Sequence, residues 1–555
     1  RTSSDPTDGL WLFPAECRAH AGSRTEERGC LEKLLGFIEF YLSMSHVLSF
    51  DAKRHQEKIH RVEEHVAQHK AAIAQHPWRE HYHFQPPVGW MNDPHGLIQF
   101  QGKFHLFYQH NPFSGKWATM HWGHAISADL MHWEHQPEAL APSEDYDDWE
   151  GGGIFTGSAI EHQNELILFY TGCAKDRQVQ CMASSTDGLN FTKSDHNPVL
   201  AEPPPEIDPH DFRDPKVWKQ GNIWYMVTGV STRKSNSVTA KDREFRNQGK
   251  VCLHRSTNLK NWEFVNYLVE SSGELGTMLE CPNFFPLDGK WVLMFSPMGL
   301  QDRQVIYLTG DFDVQNGNFQ WQTMGSVDLG FDFYAPQHFR DEKGRDLIMA
   351  WVGSWPWMPW YRGSYETEQL GWCGSLTLPR QIRLCPDGKL ASEPVQEVEQ
   401  LREQEQYYAP CVIEESKPFS FTAGDGVHCE IIASFDLSET NAQYIVFRLR
   451  GSAQQETKLE FDLAKGEMIF DRTRSGNISA LQRKCLLESA SQAQLTVRIF
   501  LDSISIEVFT DNGRTTMTNS IFSNPESNEL SISTVGGKTR LLGLRTYGLK
   551  STVNA

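Results

Sequence analysis

Three acidic residues, each at the head of an aromatic or apolar run, carry the clearest chemical capacity in this sequence. Asp93 stands in "WMNDPHG", Asp214 in "DFRDPKVW" and Glu280 in "MLECPNFF". Each is followed by proline, directly or one residue later. Proline fixes its own φ and biases the residue before it away from helix, so extended backbone is expected at each acid. Gly96 is free to supply an unusual dihedral beside Asp93. Any one of these acids alone reads as an Asx turn capping its own loop. The same placement before three similar strands is not what unrelated turns produce. Two carboxyls across one bond are the minimal machinery for hydrolysing a glycoside: one attacks the anomeric carbon and the other protonates the leaving oxygen. A third acid can bind ring hydroxyls. Arg213, adjacent to Asp214, is expected to keep that acid ionised. Leu279 and Cys281 flank Glu280, and an apolar setting raises a carboxyl pKa as a general acid requires. Trp90, Phe107, Trp117 and Trp122 are candidates for an apolar wall against a sugar, with Phe107 read as core.

The elements that must position these acids are short strands. "FHLFYQHNP", "LILFYTGC", "IWYMVTGV", "WVLMFSPM" and "LIMAWVGS" recur roughly every 55 to 70 residues. Several are followed by a second strand and a similar turn: "ISADLMHWE", "SSTDGLNFT", "RSTNLKNWE" and a degenerate "TGDFDVQNGNFQW". Five such units, each long enough for four strands, predict an all-β, five-bladed β-propeller over residues 80–395, against the alternative of a two-sheet sandwich with chance similarity. A propeller gathers strand ends from different blades around one axis, which would bring the three acids together. Residues 396–414 read as a helical, charged linker. Residues 415–555 alternate with period two and end strands in turn signals, predicting a C-terminal β-sandwich. Residues 1–79 form an N-terminal extension, partly helical. It is expected either to pack on the propeller or to mediate homo-oligomers. Its second helix carries His65 and His69 on one face, but no third ligand stands at a recognisable metal spacing, so a solvated face is the expectation.

The 555 residues carry a net charge of −19, which disfavours nucleic acid or an anionic membrane as partner and suits a small neutral substrate. The 11 cysteines include no C-x-x-C pair, which argues against a disulfide framework or zinc site and for a reducing, cytoplasmic setting. Opening on Arg1 is compatible with a removed leader, and secretion is the alternative. The sequons Asn190-Phe191-Thr192 and Asn477-Ile478-Ser479 would matter only then. Leu31–Phe50 is the most apolar stretch, but its charges make it an amphipathic helix rather than a membrane span.

"WMNDPHG", "FRDPKVW" and "ECPNFF", in this order, resemble the three signatures of the invertase-type β-fructofuranosidases, glycoside hydrolase family 32. The likeness extends to "FTGSAI", "GFDFYAPQ", "GWCGSLTLPR" and "LDSISIEVF" and covers about residues 80–550. Within the family, the helical lead-in and "GWCGSLTLPR" most resemble the bacterial sucrose and sucrose-6-phosphate hydrolases. The resemblance implies retaining hydrolysis of terminal β-fructofuranosyl groups without metal or cofactor. It implies Asp93 as nucleophile, Glu280 as acid/base and Asp214 as the group holding fructose hydroxyls. Asn92, Gln109, Trp117, Phe155, Ser158, Arg213, Tyr334 and Trp355 would line the fructose subsite. Retention requires the Asp93 and Glu280 carboxyls to lie about 5 to 5.5 Å apart. Two departures stand out. His95 replaces the usual Asn and should shift the turn slightly or touch the leaving-group side. Thr156 replaces the usual Ser. A fructan exo-hydrolase or transfructosylase with the same triad, and a non-catalytic sugar-binding propeller, are the competing readings. The basic stretch Ser231–Lys250 is either a phosphate-binding loop or a solvated one.

Overall fold

The computed structural model describes residues 51–232, 248–361, 365–476, 481–487 and 493–553. The expected helix over Leu31–Phe50, the second sequon and most of the basic stretch fall outside them. The description begins with the helix Ala52–Ala74. Asp51 caps it by accepting the Arg54 N–H at 3.0 Å. His55, Ile59 and Val62 form its buried stripe at helical spacing, and Pro77 follows shortly after its last turn.

Five sheets of four or five strands then follow one another along the chain. The recurring aromatic runs are the second strand of each: Lys103–Asn111, Glu165–Cys173, Ile223–Thr232, Lys290–Met298 and Asp346–Val352. They are central strands covered on both faces, which explains runs of apolar residues rather than alternation. The recurring turns share one device. Asp129, Asp187, Asn258 and Asp313 each accept the backbone N–H groups two and three residues on. In the first three turns the residue after the cap, Leu130, Gly188 and Leu259, takes positive φ.

The first strands of the five sheets are Gly89–Phe100, Ile154's strand Gly153–His162, Ile207–Gln220, Met278–Leu287 and Tyr334–Arg340. Each packs against the next, and the fifth packs against the first, so these inner strands close a ring of the propeller type. "GWCGSLTLPR" seals it. Trp372 and Cys373 pair in parallel with Gly89 and Trp90 of the first sheet, while Ser375 and Leu376 pair with Val352 and Trp351 of the fifth. Gly374, at φ +92°, lies between; a Cβ there would sit 2.2 Å from the Met91 carbonyl oxygen.

A seven-stranded and a six-stranded sheet form the C-terminal sandwich. The expected helical linker is corrected here. Gln396–Leu401 is a short 3-10 turn, but Arg402–Tyr408 and Cys411–Glu414 are strands paired to the final strand Lys538–Leu549. Its charge pattern resembled a helix, but an available sheet edge and the Arg402–Glu430 ion pair at 2.7 Å favour strand.

The two domains meet through buried charge. Arg380 donates to Asp328 and Glu507 and to the Thr518 hydroxyl, all out of solvent. His83 lies between Asp502 and Glu507, 2.8 Å from each. Burial alone would lower its pKa, but the hydrogen bonds to the two acids reverse this and raise it to about 10. Arg472 reaches Asp332 at 2.7 Å. Thus "GFDFYAPQ" and "LDSISIEVF" owe their acids, Asp332, Asp502 and Glu507, to this interface. Removing one partner of such a cluster leaves uncompensated charge: Arg380→Met is expected to destabilise the protein by about 3–5 kcal/mol. Urea unfolding checks this, and a loss under about 1 kcal/mol would refute the anchor.

Candidate active site

Every inner strand breaks its regular pairing at least once, and one break from each strand lies at a common level. Asn92 and Asp93 oppose Gln109 alone. Thr156 is the extra residue of the second strand. Asp214-Pro215, Cys281-Pro282 and Ala335-Pro336 are the bulged pairs of the third, fourth and fifth. A bulge turns a side chain out of the pleat and suits proline, which lacks the N–H a ladder would demand. This accounts for the proline beside each acid. It also shows that "YAP", which lacks an acid, is the same device in the fifth sheet. Asp214, Cys281 and Ala335 hold positive φ of 65°, 50° and 49°, a strain of roughly 1–3 kcal/mol each that functional sites retain.

The bulges bring the three acids to a cavity of about 500 Å³, a normal size for a small ligand. Asp93 accepts hydrogen bonds from the Asn92 amide at 3.0 Å, the Thr156 hydroxyl at 2.9 Å and the Cys281 thiol at 3.3 Å. Burial pushes its carboxyl up, the Asn92 hydrogen bond pulls it back and the Glu280 charge pushes again, giving a pKa of about 6. Asp214 accepts the Cys281 N–H at 2.8 Å, and its own N–H donates to Thr171 at 3.0 Å. Glu280 is held differently. Arg213 donates to its Oε1 through Nε at 3.2 Å and Nη2 at 2.9 Å, and the Tyr334 hydroxyl donates to its Oε2.

Two electrostatic expectations change. Arg213 does lower Asp214, but burial outweighs it and Glu280 adds to the upward push, so the pKa rises to about 7. The guanidinium is committed to Glu280 and to Asp211, at 3.0 Å. The immediate partners of Glu280 are polar rather than apolar: Arg213 and the Tyr334 hydroxyl hold its carboxyl, while Leu279 packs in the core and the bulged Cys281 turns its thiol to Asp93.

Asn92, Asp93, Gln109, Trp117, Phe155, Arg213, Asp214, Glu280 and Trp355 all line the cavity. Tyr334 and Ser158 are not among its lining residues. Tyr334 is buried behind Glu280, and the Ser158 hydroxyl bridges inner strands, donating to the Pro215 carbonyl at 2.7 Å and accepting the Val217 N–H at 3.1 Å. His95 is wholly buried and stacked on Trp122 at 3.9 Å, away from the cavity. Trp90, Phe107 and Trp122 are core, and the Trp90 indole N–H fixes Asn92 at 2.8 Å. Sequence reasoning missed Gln178, His210, Asp211, Met298, Pro356 and Trp357 as cavity residues, and noted Thr156 only as a replacement for the usual Ser. Asp211 and Met298 lay inside quoted runs, but nothing in their local pattern marks them. On the other helix face considered, His65 and His69 stack at 4.1 Å, and His65 meets Phe113.

Residues 83–394 match the model of the Glycosyl hydrolases family 32 N-terminal domain, and residues 397–547 match that of the family 32 C-terminal domain. The chain belongs to glycoside hydrolase family 32. It is therefore a glycosidase, with an N-terminal catalytic domain and a C-terminal β-sandwich. A sucrose-6-phosphate hydrolase of Zymomonas mobilis is 38% identical over 463 residues, covering 79% of this chain and 85% of its own. A raffinose invertase of Escherichia coli is 35% identical, covering 82% and 92%. Among solved structures, a family 32 β-fructofuranosidase of Bombyx mori superposes with TM-score 0.75 at 32% identity, covering 90% of this chain and 99% of its own. A mutant of that Bombyx enzyme has been solved in complex with sucrose.

In this family 32 enzyme the raised pKa values carry a stability consequence. A carboxyl whose folded pKa exceeds its unfolded value favours folding while protonated, and that contribution is lost as pH rises through the folded pKa. Asp93→Asn and Asp214→Asn are therefore each expected to be about 1–3 kcal/mol more stable than wild type at pH 8. The gain should shrink on acidification below the folded values of about 7 for Asp214 and about 6 for Asp93, and be gone near about pH 4, the ordinary Asp value. Thermal unfolding across pH tests this; variants less stable than wild type at pH 8 would contradict it.

Proposed function

We propose that this enzyme hydrolyses the bond between β-fructofuranose and glucose in sucrose-type sugars, with retention of configuration. One observation carries the assignment of roles: the acids that face one cavity are held in unlike ways. Asp93 has only neutral donors around it, so its attacking oxygen is not tied up by a cation. Glu280 is gripped by Arg213 and Tyr334, which fix the direction of its carboxyl.

In the first half-reaction an Asp93 oxygen attacks the anomeric carbon of fructose. The glycosidic C–O bond breaks as Glu280 delivers its proton to the departing oxygen, and glucose leaves. A covalent fructosyl ester remains on Asp93. In the second half-reaction Glu280 takes a proton from water, the oxygen attacks the same carbon from the vacated side, and Asp93 is released as carboxylate. Every proton and electron pair is accounted for by two carboxyls, the sugar and water. Asp214 binds fructose hydroxyls. Asn92, through Trp90, and Thr156 orient the nucleophile, while Trp117, Phe155 and Trp355 supply apolar walls. Sugars of this type are what the relatives are named for or bind: sucrose-6-phosphate, raffinose and, in the Bombyx complex, sucrose. All nine described cysteines are free thiols, which supports a reducing, cytoplasmic setting. Among the described residues no helix is long and apolar enough to cross a membrane.

Asp93→Asn is expected to lower fructose release from sucrose by on the order of 10⁴-fold. Methanol added to the wild type should trap methyl β-fructofuranoside, with its β configuration read by NMR. The α product would refute retention, as would a crystallographic Asp93–Glu280 carboxyl separation beyond about 6.5 Å.

A further inference from the structure

The helix Ala52–Ala74 contributes nothing to the cavity, yet it lies against both chain segments that build the wall bearing Trp117. Residues 112–120 join two strands of the first sheet and carry Trp117, which is 38% exposed at the cavity. Residues 141–152 lead from the first sheet to the second and end beside Phe155. The two segments are stitched together. The Thr119 hydroxyl donates to the Glu150 carbonyl at 3.0 Å, and the Met120 N–H donates to the Gly152 carbonyl at 2.8 Å.

The helix grips each of them. Arg54 and Lys58, one turn apart, converge on Asp148, with Lys58 at 2.5 Å. The buried His55 ring accepts the Ala141 N–H at 3.1 Å. About two turns beyond Lys58, His65 meets the Phe113 ring edge-on at 5.3 Å. The opposite side of residues 112–120 is closed as well, since a Cβ on Gly115 would lie 2.5 Å from the Glu368 carbonyl oxygen. Irregular segments have few ladder hydrogen bonds of their own and open easily unless something outside holds them. The buried Lys193 ammonium holds the start of the second segment, donating to the Ala141 carbonyl at 3.0 Å and to Asp147 at 2.6 Å, and the helix reaches both segments.

We propose that the helix Ala52–Ala74 is a positioning element for the leaving-group side of the site, acting on Trp117 through the Arg54/Lys58–Asp148 clamp and the His65–Phe113 contact. The proposal rests on the fructosidase reading above. The fructosyl unit is held by acids on the rigid inner strands. Trp117, which the family likeness would set in the fructose subsite, is 38% exposed at the cavity, so the group attached to the fructosyl unit meets it on a rim whose geometry the helix sets. A misplaced rim weakens productive binding without altering the acids.

The test compares wild type with Arg54→Ala/Lys58→Ala on two substrates: sucrose, and methyl β-fructofuranoside, whose one-carbon aglycone is too small to reach the rim. The expected result is a KM for sucrose raised about 5-fold, with kcat and the methyl fructoside kcat/KM held within about twofold. Arg54→Lys/Lys58→Arg should restore the wild-type KM. Added salt should raise the sucrose KM of wild type but not of the double-alanine variant, because partly exposed ion pairs are screened. Hydrogen exchange gives a readout independent of activity: residues 112–120 and 141–152 should exchange faster in the double-alanine variant while the inner strands do not change. Equal loss on both substrates, or unchanged exchange in the two segments, would overturn the proposal. A wild type inactive on both sugars would instead overturn the fructosidase reading, and the exchange result would still judge the brace.

Discussion

Asp93, Asp214 and Glu280 are buried together, and much of the molecule is arranged around the cost of keeping them there. Like charges in a low-dielectric pocket repel, and each lost its water on folding. A single strand cannot supply three converging acids, because its side chains alternate between faces. A closed ring of inner strands can, provided each strand is bent at the same level. The bulges do this bending. They cost backbone strain at Asp214, Cys281 and Ala335, and strain of that kind persists only where surrounding packing over-determines it.

Cys281 shows how closely the parts depend on one another. Its strained backbone aims its N–H at Asp214 while its thiol points at Asp93. One residue thus links two acids from different sheets. Ser158 does similar work between the second and third inner strands, where a small hydroxyl ties the Pro215 bulge to the neighbouring sheet. Among the described residues the sandwich contributes none to the cavity. Its role visible here is to fix the fifth sheet through Arg380 and Arg472 and the segment before the first sheet through His83, each sharing buried carboxylates across the boundary. Buried ion clusters are poor sources of net stability but severe when broken, so they enforce one docking geometry more than they strengthen it.

The arrangement also sets stability against activity. Raised pKa values at Asp93 and Asp214 mean that the ionised acids are held against the preference of the folded state. Unlike partners separate otherwise similar carboxyls: neutral donors at Asp93, a guanidinium and a phenol at Glu280. Chemistry that needs one acid to attack and another to transfer a proton depends on this difference rather than on residue type alone.

Much of this was legible in the sequence because it is local. Proline beside an acid announces a break in a strand, repeated aromatic runs announce central strands of repeated sheets, and Ser-x-Asp or Ser-x-Asn announces the capped turn between them. The ordered signatures then identified the family and pointed to the three acids. What the sequence could not decide depended on residues far apart in the chain. Arg213 neighbours Asp214 in the chain but serves Glu280 in space. Leu279 and Cys281 flank Glu280, yet its immediate partners are polar. The charged link after residue 400 reads as helix until the final strand offers it an edge. His95, two residues after Asp93 in sequence, belongs to the core. In each case local spacing determines which groups are present and how the backbone bends. Burial and long-range partners, which exist only once the ring has closed, determine what each group's charge and direction become.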